Sequence, residues 1–468
     1  MWHASTVFFA SLLALQSAQT PVLPQPGLLA ETVACQSDQS QTYALYLPSR
    51  YRPDRRWPAL LVFDPGGRGP LAARRFQEPA ESYGWVVLAS NNTRSGGTME
   101  PNVKAVAAMW SELQSRYSID PARVYAAGFS AGAMLAWLVG KQPGVLAGVI
   151  ASGGRMIAEY FANQIDYASF GAAGIHDFNL PSMRKVDELL AKKGAAHRLE
   201  IFEGAHEWLP PELARAAIEW HELQAIRRGL RSDDGELVAR LFADDLARAR
   251  ELEAAGRPLL VKRRLEAIAS TFEGLADVAP MAAEAARLQR SPAVTAALAE
   301  EEKWQEFEAS YIRQLDDALT RLHRAELPPP PARLAREVRL KELEERATRG
   351  GEEGATAKRM LETIWGHLSL ISVPQLLGSG EYARAAIALT VAVELRPHNS
   401  TLWYNLACTQ ARTGSKAKAL DALARAVAEG FADLALLERD QDLDALRGRA
   451  EFKALLTRLA TQPPAQPR

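Results

Sequence analysis

From Val124 the chain reads Val124-Tyr125-Ala126-Ala127, then Gly128-Phe129-Ser130-Ala131-Gly132, then an apolar helical stretch from Ala133 to Val139. A short buried strand here runs directly into a helix, with a serine at the apex of the turn. Such a turn is geometrically demanding. The apical residue must adopt a strained backbone, and the positions two before and two after it must be small. Gly128 and Gly132 meet that demand, while Ala131 and Ala133 keep the crowded corner free of bulk. The helix N-terminus also directs free N–H groups and the positive end of its dipole at the serine, where developing negative charge would be stabilised. The segment therefore presents Ser130 as a candidate nucleophile.

The flanking sequence supplies the sheet that such a turn requires. Residues 40–225 alternate apolar runs with helical stretches. The runs are 43–47, 58–63, 85–89, 124–127, 148–152, 170–175 and 199–202; the helical stretches include 103–116, 133–138, 181–193 and 211–228. Short, near-continuous apolar strands separated by helices imply an α/β fold with a mostly parallel sheet covered on both faces. Ligands of such sheets bind at the carboxyl ends of the strands. A chain of 468 residues exceeds one ordinary core, so several units are expected. The α/β unit is assigned to 19–230 and a helical linker or bundle to 231–365, where strand signals vanish. The Pro328–Pro331 run reads as a stiff break, and Arg349–Gly354 as a polar glycine-rich loop. Residues 366–460 hold an internal repeat: Gly380/Gly414, Ala383/Ala417, Ala385/Ala419, Leu389/Leu423, Ala392/Ala426 and Val393/Val427 are each 34 apart. That period, with small residues where helices must approach closely, resembles tetratricopeptide repeats, which stack on neighbouring helices.

Overall composition excludes several classes. The formal net charge of −1, with charges interspersed, gives no nucleic-acid footprint. Cys35 and Cys408 are the two cysteines, too far apart in the chain to suggest a zinc site or a disulfide framework. An apolar run from Ala4 to Leu15, followed by small residues, resembles a secretory signal over residues 1–18, so export to the periplasm or beyond is expected. That run is too short to span a membrane.

A serine hydroxyl needs a base, and the base needs a carboxylate to hold its tautomer. The turn resembles that of the α/β-hydrolases, in which the acid and then the histidine follow the serine in chain order. His206 stands just after the last strand and before a terminal helix, where a base is delivered to the sheet's carboxyl edge. His197 precedes that strand, His221 lies within a helix, and histidines 323, 367 and 398 belong to the helical region. Asp177 follows the 170–175 strand and can reach a histidine one strand over, whereas Asp166 precedes that strand and Asp187 lies in the next helix. An oxyanion hole needs two N–H groups. Ala131 is one candidate, and Gly66 or Gly67, in Asp64-Pro65-Gly66-Gly67-Arg68-Gly69, is the other. Arg68, Asn91 and Trp208 are candidate substrate contacts, although an exposed salt bridge is the commoner use of an arginine like Arg68.

With these residues assembled, the segment 40–225 resembles the esterase branch of the α/β-hydrolases, which includes polyhydroxybutyrate depolymerases and feruloyl esterases. Tyr43–Ser49, Phe63–Gly69, Gly128–Gly132 and Gly204-Ala205-His206-Glu207-Trp208 carry the likeness. The 64–69 loop departs from many relatives in lacking a histidine-led glycine string. The resemblance implies a carboxylic-ester hydrolase using Ser130, Asp177 and His206, with a small-molecule or polymeric ester as substrate and no cofactor or metal. A peptidase with the same triad, or an idle partner-binding scaffold, are the competing readings. The repeat segment implies a protein or peptide partner.

Overall fold

The computed structural model describes residues 24–461, so the apolar N-terminal run and its signal reading lie outside the described residues. Strands β1 (Leu29–Ala34), β2 (Thr42–Tyr46), β3 (Trp57–Phe63), β4 (Val86–Ser90), β5 (Ile119–Phe129), β6 (Gly148–Ser152), β7 (Ala168–Gly174) and β8 (His197–Phe202) form one sheet. Their order is β1-β2-β4-β3-β5-β6-β7-β8. The β1–β2 and β2–β4 pairs are antiparallel and the remaining pairs parallel. Every residue of β3, β4 and β6 is buried, as expected of strands covered on both faces. The expected strand series lacked β1. This strand sits at the sheet edge with Glu31 and Thr32 exposed and an irregular register, so it carries no apolar alternation to detect.

Helices α1 (Gly69–Tyr83), α2 (Glu100–Ser115), α3 (Ala131–Gly140), α4 (Leu180–Lys192) and α5 (Pro211–Arg227) cover the sheet. On one face, Met109 and Leu113 of α2, Leu135 and Trp137 of α3, and Met183 and Val186 of α4 share a core with Leu61, Phe63 and Val149. On the other, Phe76 of α1 and Ile218 and Trp220 of α5 pack on Leu60, Val62 and Phe170.

The helical half comprises α6 (Gly235–Ala254), α7 (Pro258–Thr271), α8 (Ala279–Gln289), α9 (Pro292–Arg324), α10 (Pro331–Glu337), α11 (Leu340–Ala347) and α12 (Gly351–Gly366). A π-helical turn over His367–Ser372 then leads into α13 (Val373–Gly378), α14 (Tyr382–Leu395), α15 (Ser400–Arg412), α16 (Lys416–Ala428), α17 (Leu434–Arg439) and α18 (Ala450–Thr461). Where a loop over Arg349–Gly354 was expected, α12 begins at Gly351. Gly354 fits there because any Cβ would meet the Arg349 carbonyl oxygen at 1.8 Å. One core runs unbroken from Tyr311 to Leu459, so apolar packing crosses residue 365, the expected edge of the last unit. The 34-residue spacing is visible in hydrogen bonds. Gly380 N–H donates to Leu377 O and Glu381 N–H to Leu376 O, and Gly414 to Ala411 and Ser415 to Gln410 repeat the pattern. Both glycines take left-handed φ, +76° and +78°. Among the described residues, no helix is long and apolar enough to cross a membrane. Cys35 and Cys408 are buried and unbridged.

Buried ion networks join the two halves. Arg198 of β8 binds Asp245 of α6 through two hydrogen bonds, 2.8 and 2.9 Å, and Glu200 at 2.7 Å. Arg264 of α7 closes the network on Glu200 at 2.7 and 2.8 Å. Burial alone would raise the Glu200 carboxyl, but the two guanidinium groups bring it down to about 2. Arg184 of α4 pairs with Glu301 of α9 at 2.9 Å.

His221 of α5 is fully buried against Gly148, whose added Cβ would lie 2.3 Å from the imidazole. Burial, reinforced by Arg228 and Arg123, pushes its pKa down to about 3. The ring is therefore neutral when folded, but protonates in the unfolded chain below about pH 6.5. The unfolded state then binds more protons, so this contribution to stability is present above pH 6.5 and is lost as pH falls toward 3. Thermal melts between pH 7 and pH 4 should show the loss, with a slope of up to about 1.4 kcal/mol per pH unit from this one proton. The His221→Leu variant should lack that component, giving a flatter profile.

Candidate active site

Ser130 sits between β5 and α3 with φ 54° and ψ −118°. Apart from Arg339, it is the one described non-glycine residue with positive φ. A left-handed backbone at a residue with a Cβ costs about 1–3 kcal/mol and persists only where the surroundings over-determine it. Here they do. The Ser130 N–H donates to Ser152 O at 2.9 Å, and Ser130 O accepts from Ala133 and Met134 at 3.1 and 3.2 Å. The flanking glycines are required by contact. A Cβ on Gly128 would lie 2.0 Å from Gly132 O, and one on Gly132 would lie 1.9 Å from Phe63 O. Because α3 crosses this close to β3 and β5, the Ser130 hydroxyl stands at the carboxyl edge of the sheet.

The turn after β7 and the loop after β8 bring the other two side chains to that edge. His206 Nε2 lies 2.9 Å from Ser130 Oγ, and His206 Nδ1 lies 2.9 Å from Asp177 Oδ1. The tautomer consistent with a relay has Nδ1–H donating to Asp177, leaving Nε2 to accept the serine proton. Asp177 is fully buried and the His206 side chain is only 8% exposed. Asn179 N–H donates to Asp177 Oδ1 at 2.7 Å, and the Asn179 side chain donates to Gly153 O at 2.8 Å, tying the acid loop to the end of β6. Gly153, at φ 54°, leaves room for the carboxylate, since a Cβ there would lie 2.5 Å from Asp177 Oδ2. Phe129 and Phe178 lie against the imidazole, with ring centroids 4.7 and 4.0 Å away. Chain order had selected Ser130, Asp177 and His206; the aromatic flanks and Gly153 carried no motif by which to find them.

The loop after β3 differs from expectation. Its organiser is Asp64, which is fully buried. Asp64 Oδ1 accepts from Gly66 N–H at 2.8 Å and Arg68 Nε at 2.9 Å, and Oδ2 accepts from Arg68 Nη2 at 3.0 Å and Trp208 Nε1 at 2.8 Å. Burial opposes ionisation, yet the hydrogen bonds from Arg68, Trp208 and Gly66 outweigh it and hold the carboxyl below the usual carboxylate range. The Gly67 N–H is turned back to Asp64 O at 3.1 Å. Gly66 and Gly67 thus spend their N–H groups on Asp64 in this conformation, not on an oxyanion position. Ala131 is the first residue of α3, and its N–H has no intrahelical acceptor.

Arg68 and Trp208 line a cleft of about 520 Å³ together with Leu71, Arg75, Phe129 and His206, while both remain engaged with Asp64. Asn91 is a correction. Its side chain turns away toward the antiparallel edge, donating to Glu31 O and Thr42 Oγ1 at 3.2 Å each. Its neighbours are committed too, since Thr93 donates to Asp64 O at 3.0 Å and Asn102 holds the Arg94 backbone. The 91–94 loop therefore braces the 64–69 loop. Among the described residues, no group of three His, Cys, Asp or Glu side chains is arranged to hold a metal ion.

No protein-family model matches the chain, and no curated protein matches it at a significant level. Among solved structures it is similar to a ferulic acid esterase, at 14% identity over 42% of this chain and 97% of that one, with a TM-score of 0.35. It is also similar to a thermostable esterase, at 21% identity over 42% of this chain and 62% of that one, TM-score 0.35. A third likeness is to Thermogutta terrifontis esterase 2 phosphonylated by cyclosarin, at 16% identity over 45% and 98%, TM-score 0.37. Likeness this low says nothing of chemistry, which is carried by the side-chain geometry.

The contact at Gly132 can be tested directly. Gly132→Ala should destabilise the fold by about 2–3 kcal/mol, because the methyl group drives α3 off β3. Gly194→Ala, at positive φ but with nothing within 4 Å, should cost about 1 kcal/mol or less. Equal losses in urea melts would contradict the close-approach account.

Proposed function

We propose that the chain is a serine hydrolase of the α/β-hydrolase type that cleaves carboxylic esters. The observation that supports this most is the continuous line Ser130 Oγ, His206 Nε2, His206 Nδ1, Asp177 Oδ1, with both hydrogen-bonded separations at 2.9 Å. His206 takes the Ser130 proton as the hydroxyl oxygen attacks the acyl carbon. Asp177, buried beside it, holds the imidazole orientation and stabilises the imidazolium that forms. Charge developing on the carbonyl oxygen meets the Ala131 N–H and the positive end of α3. The imidazolium then protonates the leaving alcohol, and a water activated by the same base releases the acid from Ser130.

Ester hydrolysis fits better than peptide hydrolysis because the site offers one clear backbone donor for the oxyanion. With Gly66 and Gly67 turned to Asp64, the bond with the better leaving group is the less demanding one to break. The cleft beside His206 has Leu71, Phe129, Phe202 and Trp208 on its walls together with the charged Arg68, Arg75, Glu203 and Glu207, so it offers a substrate both apolar and polar contacts. We further take the 34-residue helical pairs as tetratricopeptide-like, offering a surface to a protein or peptide, and we retain export as the reading of the N-terminal sequence.

Turnover of short-chain nitrophenyl esters tests the reading. Ser130→Ala should reduce kcat to background, and Asp177→Asn should lower it by about 10⁴-fold through the wrong histidine tautomer. Equal turnover by wild type and Ser130→Ala would overturn the proposal.

A further inference from the structure

Arg359, on α12, belongs to the helical half, yet it reaches the loop that carries Asp177. Its side chain is 2% exposed and its partner Glu308, on α9, is 3% exposed. Arg359 Nε donates to Glu308 Oε1 at 2.8 Å, and Nη2 donates to Glu308 Oε2 at 2.8 Å and to Thr356 Oγ1 at 3.1 Å. The remaining amino group, Nη1, donates to Ile175 O at 2.8 Å. Ile175 lies two residues before Asp177, where the chain leaves β7.

A second contact from the same helix falls just beyond the acid. Gly366 packs on Phe178, whose Cε1 would lie 3.1 Å from any Cβ added at 366. The other side of that story is Phe178 against His206, 4.0 Å between centroids. Arg359 and Gly366 are seven residues apart, two helical turns, and so share one face of α12. That face therefore touches the chain on both sides of Asp177, by a charge-assisted hydrogen bond before it and a ring contact after it.

We infer that α12 is a positioning element for the triad, with the Arg359–Glu308 pair holding the Asp177 loop through Ile175 O and Gly366 seating Phe178 against His206. This rests on the triad reading above and extends it. The helical half is then part of the working site and not a module tethered beside it. Glu308 and Thr356 engage Nε and Nη2, which fixes the guanidinium with Nη1 facing the loop, where it donates to Ile175 O. Removing the pair leaves Ile175 O unsatisfied and lets Asp177 shift relative to His206. A displacement of this kind acts on proton transfer more than on substrate binding.

The test uses the full chain and a short-chain nitrophenyl ester. Arg359→Met alone leaves Glu308 charged and buried, so it is paired with the double variant Arg359→Met/Glu308→Leu, in which no buried charge is stranded. The double variant should melt as a folded protein, keep KM within about threefold, and lose about 10- to 100-fold in kcat. Arg264→Met breaks another buried network between the halves without touching the 175–179 loop, so it should lower the melting temperature and keep kcat. Hydrogen exchange over residues 174–180 should quicken in the double variant and not in Arg264→Met. Wild-type kcat and wild-type exchange in the double variant would overturn the inference, as would an equal kcat loss in Arg264→Met. Should wild type itself match Ser130→Ala, the triad reading falls, and the exchange comparison still decides whether α12 holds the loop.

Discussion

The close crossing of α3 over β3 and β5 is the constraint from which the rest of the site follows. Two missing Cβ atoms, at Gly128 and Gly132, let backbone meet backbone at distances no side chain permits. Ser130 is then forced into its left-handed conformation, held by Ser152 below and by the first N–H groups of the helix beyond. Strain of about 1–3 kcal/mol is stored at one residue, and the return is a hydroxyl fixed at the sheet's carboxyl edge with the helix N-terminus beside it. Had Ser130 relaxed into an ordinary helical backbone, His206 would have had nothing to meet.

Around that point the protein uses buried polar groups as fixtures. Asp64 gathers Gly66, Arg68 and Trp208, and Trp208 in turn packs on Phe129, whose ring lies against His206. Asp177 is fixed by Asn179 and by the space left at Gly153. Such groups are costly to bury unless every partner is present, so they specify one arrangement more than they add stability. The helical half extends the same principle, with Arg198–Asp245, Arg184–Glu301 and Arg359–Glu308 as ionic joints. Because these joints are buried, the two halves behave as parts of one structure, and α12 becomes a neighbour of the acid loop.

What could be read from the sequence was what local chemistry dictates. Glycines two positions either side of a serine between strand and helix predict the turn, and the order serine, aspartate, histidine at successive strand ends selects side chains that lie within hydrogen-bond reach. The parallel centre of the sheet was legible because its strands are apolar throughout. The antiparallel edge strand β1 was not, since an exposed edge needs no apolar alternation. The glycines of the 64–69 loop looked free to meet a substrate. Only the fold reveals that Asp64, buried by Trp208 from 144 residues away, takes the Gly66 N–H, while the Asp64 carbonyl takes that of Gly67. Asn91 was misread for the same reason, as its partners lie on strands whose adjacency the sequence does not state. Arg359 is the extreme case, 184 residues from Ile175 and carried on a helix whose pattern is merely amphipathic.

On the function proposed for it, Ser130 is a nucleophile activated through His206. Mass spectrometry of the intact chain after treatment with a fluorophosphonate tests it most directly, with peptide mapping to locate the adduct. One adduct per chain is expected, on the peptide containing Ser130, formed fast in the wild type and absent from His206→Ala over the same time. An unlabelled wild type, or an adduct on another residue, would contradict it.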